Sequence, residues 1–224
     1  ELSCICIRRI ISKLKMLHKI TRLIAGGESE TLDFKQTISD ASKIAKTLVA
    51  FANNKGGTLL IGVRDNGSIS GIRSEDEKYM LELAGTFYCE PKINVTYIEY
   101  EIDHKTVIEA KILVGADKPY YAKDKDGKWW VYHRVNDQSL QASAVMFQVI
   151  RKQNRANAEI SSYSFIESEI LKALQQEKPL SLQDIVNRIN IKKNRVIYSL
   201  AKLIHFDLVS VIHHQKLEFY HLKP

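Results

Sequence analysis

The sequence predicts a mixed α/β protein, in which helices flank a mixed sheet, followed by a smaller and mainly helical domain. Residues 58–63 form an almost wholly apolar run between turn residues, which is typical of a strand buried on both faces. From residue 93 onward apolar and polar residues alternate in paired segments, as they do in β-hairpins. After residue 165 the apolar residues recur at helical spacing instead.

Residues 1–15 differ in character from the chain that follows. Their isoleucines and basic residues would allow an amphipathic helix that contacts a membrane or a protein partner. Because Met16 is a natural start, we instead expect an N-terminal extension that need not be native. A first helix is predicted over residues 17–25, ending at Gly26-Gly27, since glycine supplies a left-handed cap.

Next we expect a short strand over residues 28–35, a helix, the apolar strand and a further helix. Ser39 or Asp40 can cap the first of these two helices. Ser74 and Glu77 have the spacing of a capping box, which predicts that the second helix begins there.

Asn66-Gly67 predicts a tight turn directly after the apolar strand. Alternating residues then predict one hairpin over residues 93–114 and another over residues 119–135. A helix is expected from Ser139 to about Asn154. Together these elements predict one mixed α/β domain over residues 16–154.

Residues 155–164 are polar and weakly patterned, which is typical of a linker. The chain over residues 165–224 predicts three helices followed by two short strands, with Ser181 capping the second helix. Three helices closed by a small hairpin are the winged helix-turn-helix pattern.

Composition excludes several classes of protein. The chain has 224 residues, of which 45% are hydrophobic and 26% charged, as in an ordinary globular protein of one or two domains. No apolar stretch reaches the roughly 18 to 20 residues that a membrane span requires. The three cysteines form no even framework and no CxxC pair, so we expect a reduced, cytoplasmic setting and no membrane partner.

The net charge of +7 is unevenly distributed along the chain. Residues 1–25 carry a net charge of +5, residues 26–150 of −3, and residues 151–224 of +5. Basic ends fit a polyanionic partner such as nucleic acid. Scattered, solvated lysines would give similar totals, so charge alone does not decide between these explanations.

Gly56-Gly57 has the appearance of a phosphate-binding loop without its defining features. The GxxxxGK[ST] pattern is absent, and these glycines precede a strand, whereas phosphate loops precede a helix. Close backbone packing or a turn explains the pair equally well, and the motif argues against ATP as a ligand.

Three separated blocks, ESETLDFK, FANNKGGTLLIGVRDNG and KPYYAK…VYHRVNDQSLQAS, resemble the Schlafen-type AlbA domain over about residues 17–150. That family has also been described as a divergent AAA or ATP-binding domain of bacterial regulators. In bacterial members Arg and Val are followed by Gly in the last block, whereas Asn136 stands here; Asn also tolerates left-handed backbone. The resemblance implies a nucleic-acid-binding fold, in many bacterial members followed by a winged helix.

In nuclease members of this family three carboxylates form an RNA-cleaving site, and the resemblance places them at Glu28, Asp33 and Asp65. Clustered carboxylates can hold Mg²⁺ or Mn²⁺, and Lys35, on the same strand face as Asp33, could neutralise phosphate charge. The alternative is structural. Glu28 would serve a turn, Asp33 would pair with Lys35 or Arg64, and Asp65 would occupy an Asp-x-Gly turn.

The third predicted helix of the C-terminal region places polar residues opposite its apolar face. Those at its N-terminal end occupy the part of a recognition helix that meets bases and phosphates. The candidate nucleic-acid-binding residues are Lys192, Lys193, Asn194, Arg195, Tyr198, Lys202, His213, Lys216 and Arg134. Dimerisation or another protein contact is the alternative use of this region.

Aromatic residues are concentrated in the second predicted hairpin: Tyr120, Tyr121, Trp129, Trp130 and Tyr132. Such side chains can stack on the bases of a single strand. Alternation along the strand predicts that about half of them lie in the core.

The interpretation that we favour is a cytoplasmic DNA-binding protein, acting as a transcriptional regulator, with an AlbA-like domain followed by a winged helix. RNA is a further candidate ligand, and homodimer formation is compatible with this interpretation. The alternatives are a nuclease dependent on Mg²⁺ or Mn²⁺ that uses Glu28, Asp33 and Asp65 with Lys35, a nucleotide-binding module, and a purely structural dimerisation protein.

Overall fold

The computed structural model describes residues 17–154, 163–176, 178–215 and 217–223. The predicted N-terminal extension and most of the predicted linker lie outside these residues. Contacts divide the chain into two compact units. The first runs to Gly115 and resumes over Tyr120–Ser139, and the second comprises Ala116–Pro119 and the chain from Leu140 onward.

The first unit is a mixed α/β structure with flanking helices, which confirms the predicted fold class. Its elements are α1 (residues 17–26), β1 (Leu32–Lys35), α2 (Ala41–Asn53), β2 (Gly57–Ile61), α3 (Asp76–Phe87), β3 (Cys89–Glu90), β4 (Thr96–Ile102), β5 (Lys105–Ile112), β6 (Tyr121–Lys123) and β7 (Trp129–Val135). One sheet has the order β1-β2-β5-β4, in which β1 and β2 are parallel and the other pairs antiparallel. The other sheet has the order β3-β6-β7-β8, where β8 is Gln138–Gln141.

Strand β2 is buried on both faces, as its apolar sequence predicts. Leu59 and Ile61 pack in the core that contains α2, whereas Leu60 packs in a second core with Ile20 of α1. Side chains alternate across a strand, so a continuous apolar run serves two cores at once. The strand therefore needs a helix on each side.

Gly56 and Gly57 allow the backbone before β2 to pack closely. A Cβ atom at Gly56, whose φ is +73°, would lie 2.8 Å from the carbonyl oxygen of Ile112. A Cβ atom at Gly57 would lie 2.4 Å from the Phe51 ring. Close packing thus accounts for both glycines without a phosphate ligand.

The beginning of α3 differs from the prediction. The capping box of Ser74 and Glu77 does not form, and α3 begins at Asp76 without a side-chain cap. The buried Glu77 carboxylate instead accepts hydrogen bonds from the backbone N–H groups of Ile38, at 3.2 Å, and Arg73, at 2.7 Å. The sequence spacing assigns the Glu77 carboxylate to a helix cap, but in the folded chain it bonds to these backbone groups instead.

Ser139 does not begin a helix, contrary to the prediction. It lies in β8, which follows a tight turn in which Asn136 has a φ of +54°. The helix that follows, α4 (Ala144–Lys152), is capped by Ser143, whose Oγ accepts from the Met146 N–H at 3.1 Å. Contacts place α4 in the second unit, whereas the sequence assigned it to the first domain.

The second unit contains the three helices and the hairpin that the sequence predicts, together with α4. These elements are α5 (Phe165–Ala173), β9 (Leu180–Ser181), α6 (Leu182–Ile189), α7 (Lys193–His205), β10 (Val209–His214) and β11 (Leu217–Leu222). Capping boxes at Ser164 and Ser181 begin α5 and α6. The three strands form an antiparallel sheet of order β10-β11-β9.

Helix α1 is fastened to the first sheet by a cluster of three polar side chains. Lys19 Nζ lies 2.5 and 2.7 Å from the two carboxylate oxygens of Glu109, and the Tyr100 hydroxyl donates to the same carboxylate at 2.5 Å. Burial opposes ionisation of Glu109, but the hydrogen bonds from Lys19 and Tyr100 outweigh it and lower its pKa.

We expect Lys19→Met to lower the free energy of unfolding by about 2 kcal/mol at pH 7, because Glu109 stays buried without its cation. The control is Lys43→Met, at an exposed lysine of α2. The lowered pKa of Glu109 contributes stability above its ordinary value of 4.5 and loses it as the pH falls through the folded pKa. Urea titrations should thus show the Lys19 effect shrinking in acid; an effect independent of pH would contradict it.

Candidate nucleic-acid interface

The structure brings Glu28 and Asp33, two of the three predicted catalytic carboxylates, close to each other. Glu28 Oε1 accepts a hydrogen bond from the Phe34 N–H at 2.7 Å. Burial raises the pKa of Glu28, and the neighbouring Asp33 raises it further, whereas the Phe34 N–H and Lys35 act in the opposite direction. Glu28 and Asp33 therefore form an interacting carboxyl pair at the beginning of β1.

Asp33 is buried and lies between two cations. Its Oδ2 is 2.7 Å from Lys35 Nζ, and its Oδ1 is 3.4 Å from Nη1 of Arg134. The sequence predicted a structural pair with Lys35 or Arg64, and the structure provides Lys35 together with Arg134. These cations already compensate the charge that a metal ion or a substrate would otherwise encounter.

Arg134 is buried, which corrects the prediction that it contacts nucleic acid. Its side chain is 1% exposed and donates to the Ser29 carbonyl at 2.6 Å and to Ser139 Oγ at 3.2 Å. The guanidinium also lies 4.8 Å from the centroid of the Phe51 ring. Arg134 thus ties β7 to β1 and is not available to a ligand.

Asp65, the third predicted carboxylate, lies in an exposed turn after β2. The turn is closed by hydrogen bonds from the Arg64 N–H to the Ser68 carbonyl and from the Gly67 N–H to the Arg64 carbonyl. Among the described residues, Glu28, Asp33 and Asp65 do not converge to within 4.8 Å of one another. With Asp33 engaged by two cations, this arrangement does not fit a divalent ion shared by all three carboxylates.

The N-terminal end of α7 presents the predicted recognition residues to solvent. Lys192, Lys193, Asn194 and Arg195 are all exposed, and Tyr198 is 53% exposed. The first turn contains no acidic residue and has no side-chain cap, so no side chain offsets the partial positive charge of this helix end.

The opposite face of α7 is fixed in the core of the second unit. Its buried residues are Val196, Ile197, Leu200, Ala201 and Leu203. They pack with Ile170, Ile185 and Tyr220 of the neighbouring elements. The basic end of the helix is therefore displayed on a rigid support.

The remaining candidates on this unit are more constrained. Lys202 lies 3.0 Å from the buried carboxylate of Glu167, so it serves an ion pair between α7 and α5. His213, on β10, has Nε2 3.7 Å from Glu218 on β11. Lys216 lies outside the described residues.

About half of the aromatic residues of the second hairpin lie in the core, as predicted, but burial along β7 does not alternate. Tyr120 and Tyr132 are buried and Tyr121 is half-buried, whereas the adjacent Trp129 and Trp130 are 42% and 36% exposed. The two indoles are therefore the most accessible members of this group.

Comparison with known proteins gives a family match. The family model described as Schlafen, AlbA_2 matches residues 28–143. The DIP2311 protein from Corynebacterium diphtheriae is 13% identical with a TM-score of 0.48; the match covers 94% of this chain but only 39% of that one. The N-terminal domain of a RecG-related protein from Nitrosomonas europaea is 21% identical with a TM-score of 0.38, covering 65% of this chain and 97% of that one. Among curated proteins the comparison finds no match.

We expect Arg134→Met to lower the free energy of unfolding by about 3 kcal/mol, because Asp33 then remains buried beside Glu28 without the buried guanidinium of Arg134. Asp65→Asn, in the exposed turn, should change it by less than about 0.5 kcal/mol. Urea denaturation of both variants measures the difference. The double variant Asp33→Asn, Arg134→Met should lose less free energy of unfolding than the losses of the two single variants added together. Strict additivity would mean that the pair contributes nothing.

Proposed function

The chain belongs to the Schlafen, AlbA_2 family, and from that premise we propose that it binds nucleic acid, with α7 of the second unit contacting duplex DNA. Family membership rests on the first unit, whose matched residues include β1, β2 and both hairpins. The resemblance of those blocks implies a nucleic-acid-binding fold. The choice of duplex DNA and of α7 rests on the second unit.

One observation carries this proposal: a rigid helix presents an exposed, uncapped and basic N-terminal turn. Lys192, Lys193 and Arg195 supply positive charge at a helix N-terminus that has no side-chain cap, a combination that favours phosphate oxygens. Asn194 and Arg195 can each form two hydrogen bonds with a base edge in the major groove. The surface therefore combines groups for affinity with groups for sequence discrimination.

The surrounding elements support the proposal that this unit is a winged helix. Helices α5, α6 and α7 precede the β10–β11 hairpin. Strand β9 lies between α5 and α6 in the sequence and pairs with β11. In that architecture the third helix enters the major groove and the hairpin contacts the backbone beside it. His214 is exposed near the tip of this hairpin, where it can approach a phosphate.

A protein that combines an AlbA-like unit with a sequence-reading helix suits a regulator of transcription. We propose this role for the chain, with the duplex contacts of α7 determining its target. The net charge of +5 over residues 151–224 favours the same partner through long-range attraction.

We expect the full chain to bind duplex DNA with an affinity that falls steeply with salt, because bound phosphates release counterions. Lys193→Ala should reduce the slope of log affinity against log salt by about 1, and Arg195→Ala should weaken binding about tenfold for the preferred sequence. Fluorescence anisotropy with labelled duplexes at several salt concentrations measures both effects. Lys92→Ala, at an exposed lysine of the first unit, is the matched control. Equal losses from Lys92 and Lys193 would exclude α7 as the specific contact.

A metal-dependent nuclease is the second candidate function, favoured by the family resemblance and by the interacting pair of Glu28 and Asp33. The family resemblance assigns Mg²⁺ or Mn²⁺ to these two residues and Asp65, but the three do not converge in this structure, so no step is assigned to an ion. A bound cation would offset charge on a scissile phosphate. Lys35 would contribute positive charge from the same strand.

The exposed Asp65 gives the cleanest test of this second function. Under the nuclease hypothesis, Asp65→Asn should abolish Mn²⁺-dependent cleavage of structured RNA while leaving the melting temperature unchanged, because the side chain lies at the surface. Asp126→Asn, in another exposed turn, serves as the control. Cleavage by Asp65→Asn at the wild-type rate would contradict a cleavage site that uses all three carboxylates.

A further inference from the structure

The turn between β6 and β7 is held in one conformation by Asp124. Its Oδ1 accepts hydrogen bonds from the backbone N–H groups of Asp126, at 2.9 Å, and Lys128, at 2.8 Å. Its Oδ2 accepts from Nε1 of Trp130 at 2.7 Å. Both carboxylate oxygens are therefore occupied within the hairpin, and the Trp130 indole is oriented by a bond to the turn itself.

Trp129 is displayed on the other face of the same hairpin. It pairs in register with Lys123 on β6, whose Nζ lies 5.7 Å from the centroid of the indole. Successive residues of a strand project to opposite faces, so Trp129 and Trp130 cover the two sides of the hairpin tip. With 42% and 36% of their surfaces exposed, both indoles remain partly accessible after folding.

Positive charge accompanies these indoles. Lys123 pairs with Trp129 across the strands and Lys128 directly precedes Trp129 in the sequence, whereas Asp124 and Asp126 in the same turn offset part of this charge. Lys125 is engaged by Asp40 at 3.1 Å, so it contributes less. A ligand that satisfies both features must offer flat aromatic groups and negative charge in alternation. A single strand of nucleic acid offers this combination, whereas duplex DNA hides its base faces by stacking.

We propose that the tip of the β6–β7 hairpin, formed by Lys123, Lys128, Trp129 and Trp130, binds single-stranded nucleic acid by stacking bases on the two indoles. A nucleic-acid strand that passes over the tip can stack its bases on the indoles, while its phosphates contact the lysines. The hydrogen bond to Asp124 holds the Trp130 indole in place before binding, which lowers the entropy lost when the complex forms. This surface belongs to the first unit and is separate from the proposed duplex contact of α7.

The composition of the chain supplies a direct readout. Its two tryptophans are Trp129 and Trp130, so intrinsic tryptophan emission reports on this hairpin alone. We expect unlabelled oligothymidylate of about 15 nucleotides, a length within the range of single-strand sites, to quench the emission of the full chain saturably. A duplex of equal length should quench it far less.

Variants assign the effect to the indoles. Trp129→Ala should weaken binding of a labelled single strand by about tenfold or more, and Trp129→Phe, which keeps an aromatic face, should restore most of it. Phe165→Ala, at a 74% exposed aromatic residue of the second unit, is the matched control. Circular dichroism of each variant confirms that the fold is retained.

The outcomes separate this proposal from that for α7. Both sites are supported if Trp129→Ala loses single-strand binding but keeps duplex binding, and Lys193→Ala loses duplex binding but keeps single-strand binding. Emission that does not change at saturating oligonucleotide, or equal affinity of Trp129→Ala and the wild type, overturns the hairpin proposal whatever the result for duplex DNA. Unchanged emission would leave the exposed indoles as a contact for a protein partner.

Discussion

Strand β2 is buried on both of its faces, and the neighbouring elements of the first unit are arranged to keep it so. Helix α2 covers one face and α1 the other, while β1 and β5 satisfy its backbone hydrogen bonds on either edge. A strand in this position cannot carry polar side chains without unpaired groups in a core. Chemistry in this unit is therefore restricted to residues beyond the ends of the strand and on its neighbours, where Asp33 and Asp65 are found.

The ion pair of Asp33 and Arg134 shows how one residue type can suit two different roles. An acid at this position matches the family pattern for cleavage, yet in this structure its oxygens face Arg134 and Lys35. A buried carboxylate that is paired with a buried guanidinium holds two strands together, because separating either partner leaves an uncompensated charge. The same contacts occupy the carboxylate oxygens that a metal ion would need, so structure and catalysis compete for one side chain.

The two units offer different chemistry to a polyanion. In the second unit, the apolar face of α7 is fixed in a core, and its basic first turn is left free of acids and caps. In the first unit the accessible groups are two indoles on a stiff hairpin, accompanied by lysines. Basic side chains suit the phosphates of a duplex, whereas exposed aromatic side chains suit stacking on unpaired bases. The division follows from which side chains each core leaves exposed.

The sequence by itself determined the mixed α/β class, the buried strand, both hairpins and the three C-terminal helices, because these depend on periodicity and turn residues within short segments. Only the tertiary structure decided the partners of Arg134 and Glu77. Arg134 pairs with an acid 101 residues away, and the Glu77 carboxylate accepts a hydrogen bond from the backbone of Ile38 in place of a capping-box bond. It also decided that Ser139 continues a sheet, since the positive φ at Asn136 turns the chain into β8. Local patterns fix elements, whereas the partner of a buried charge depends on which distant strand the fold places beside it.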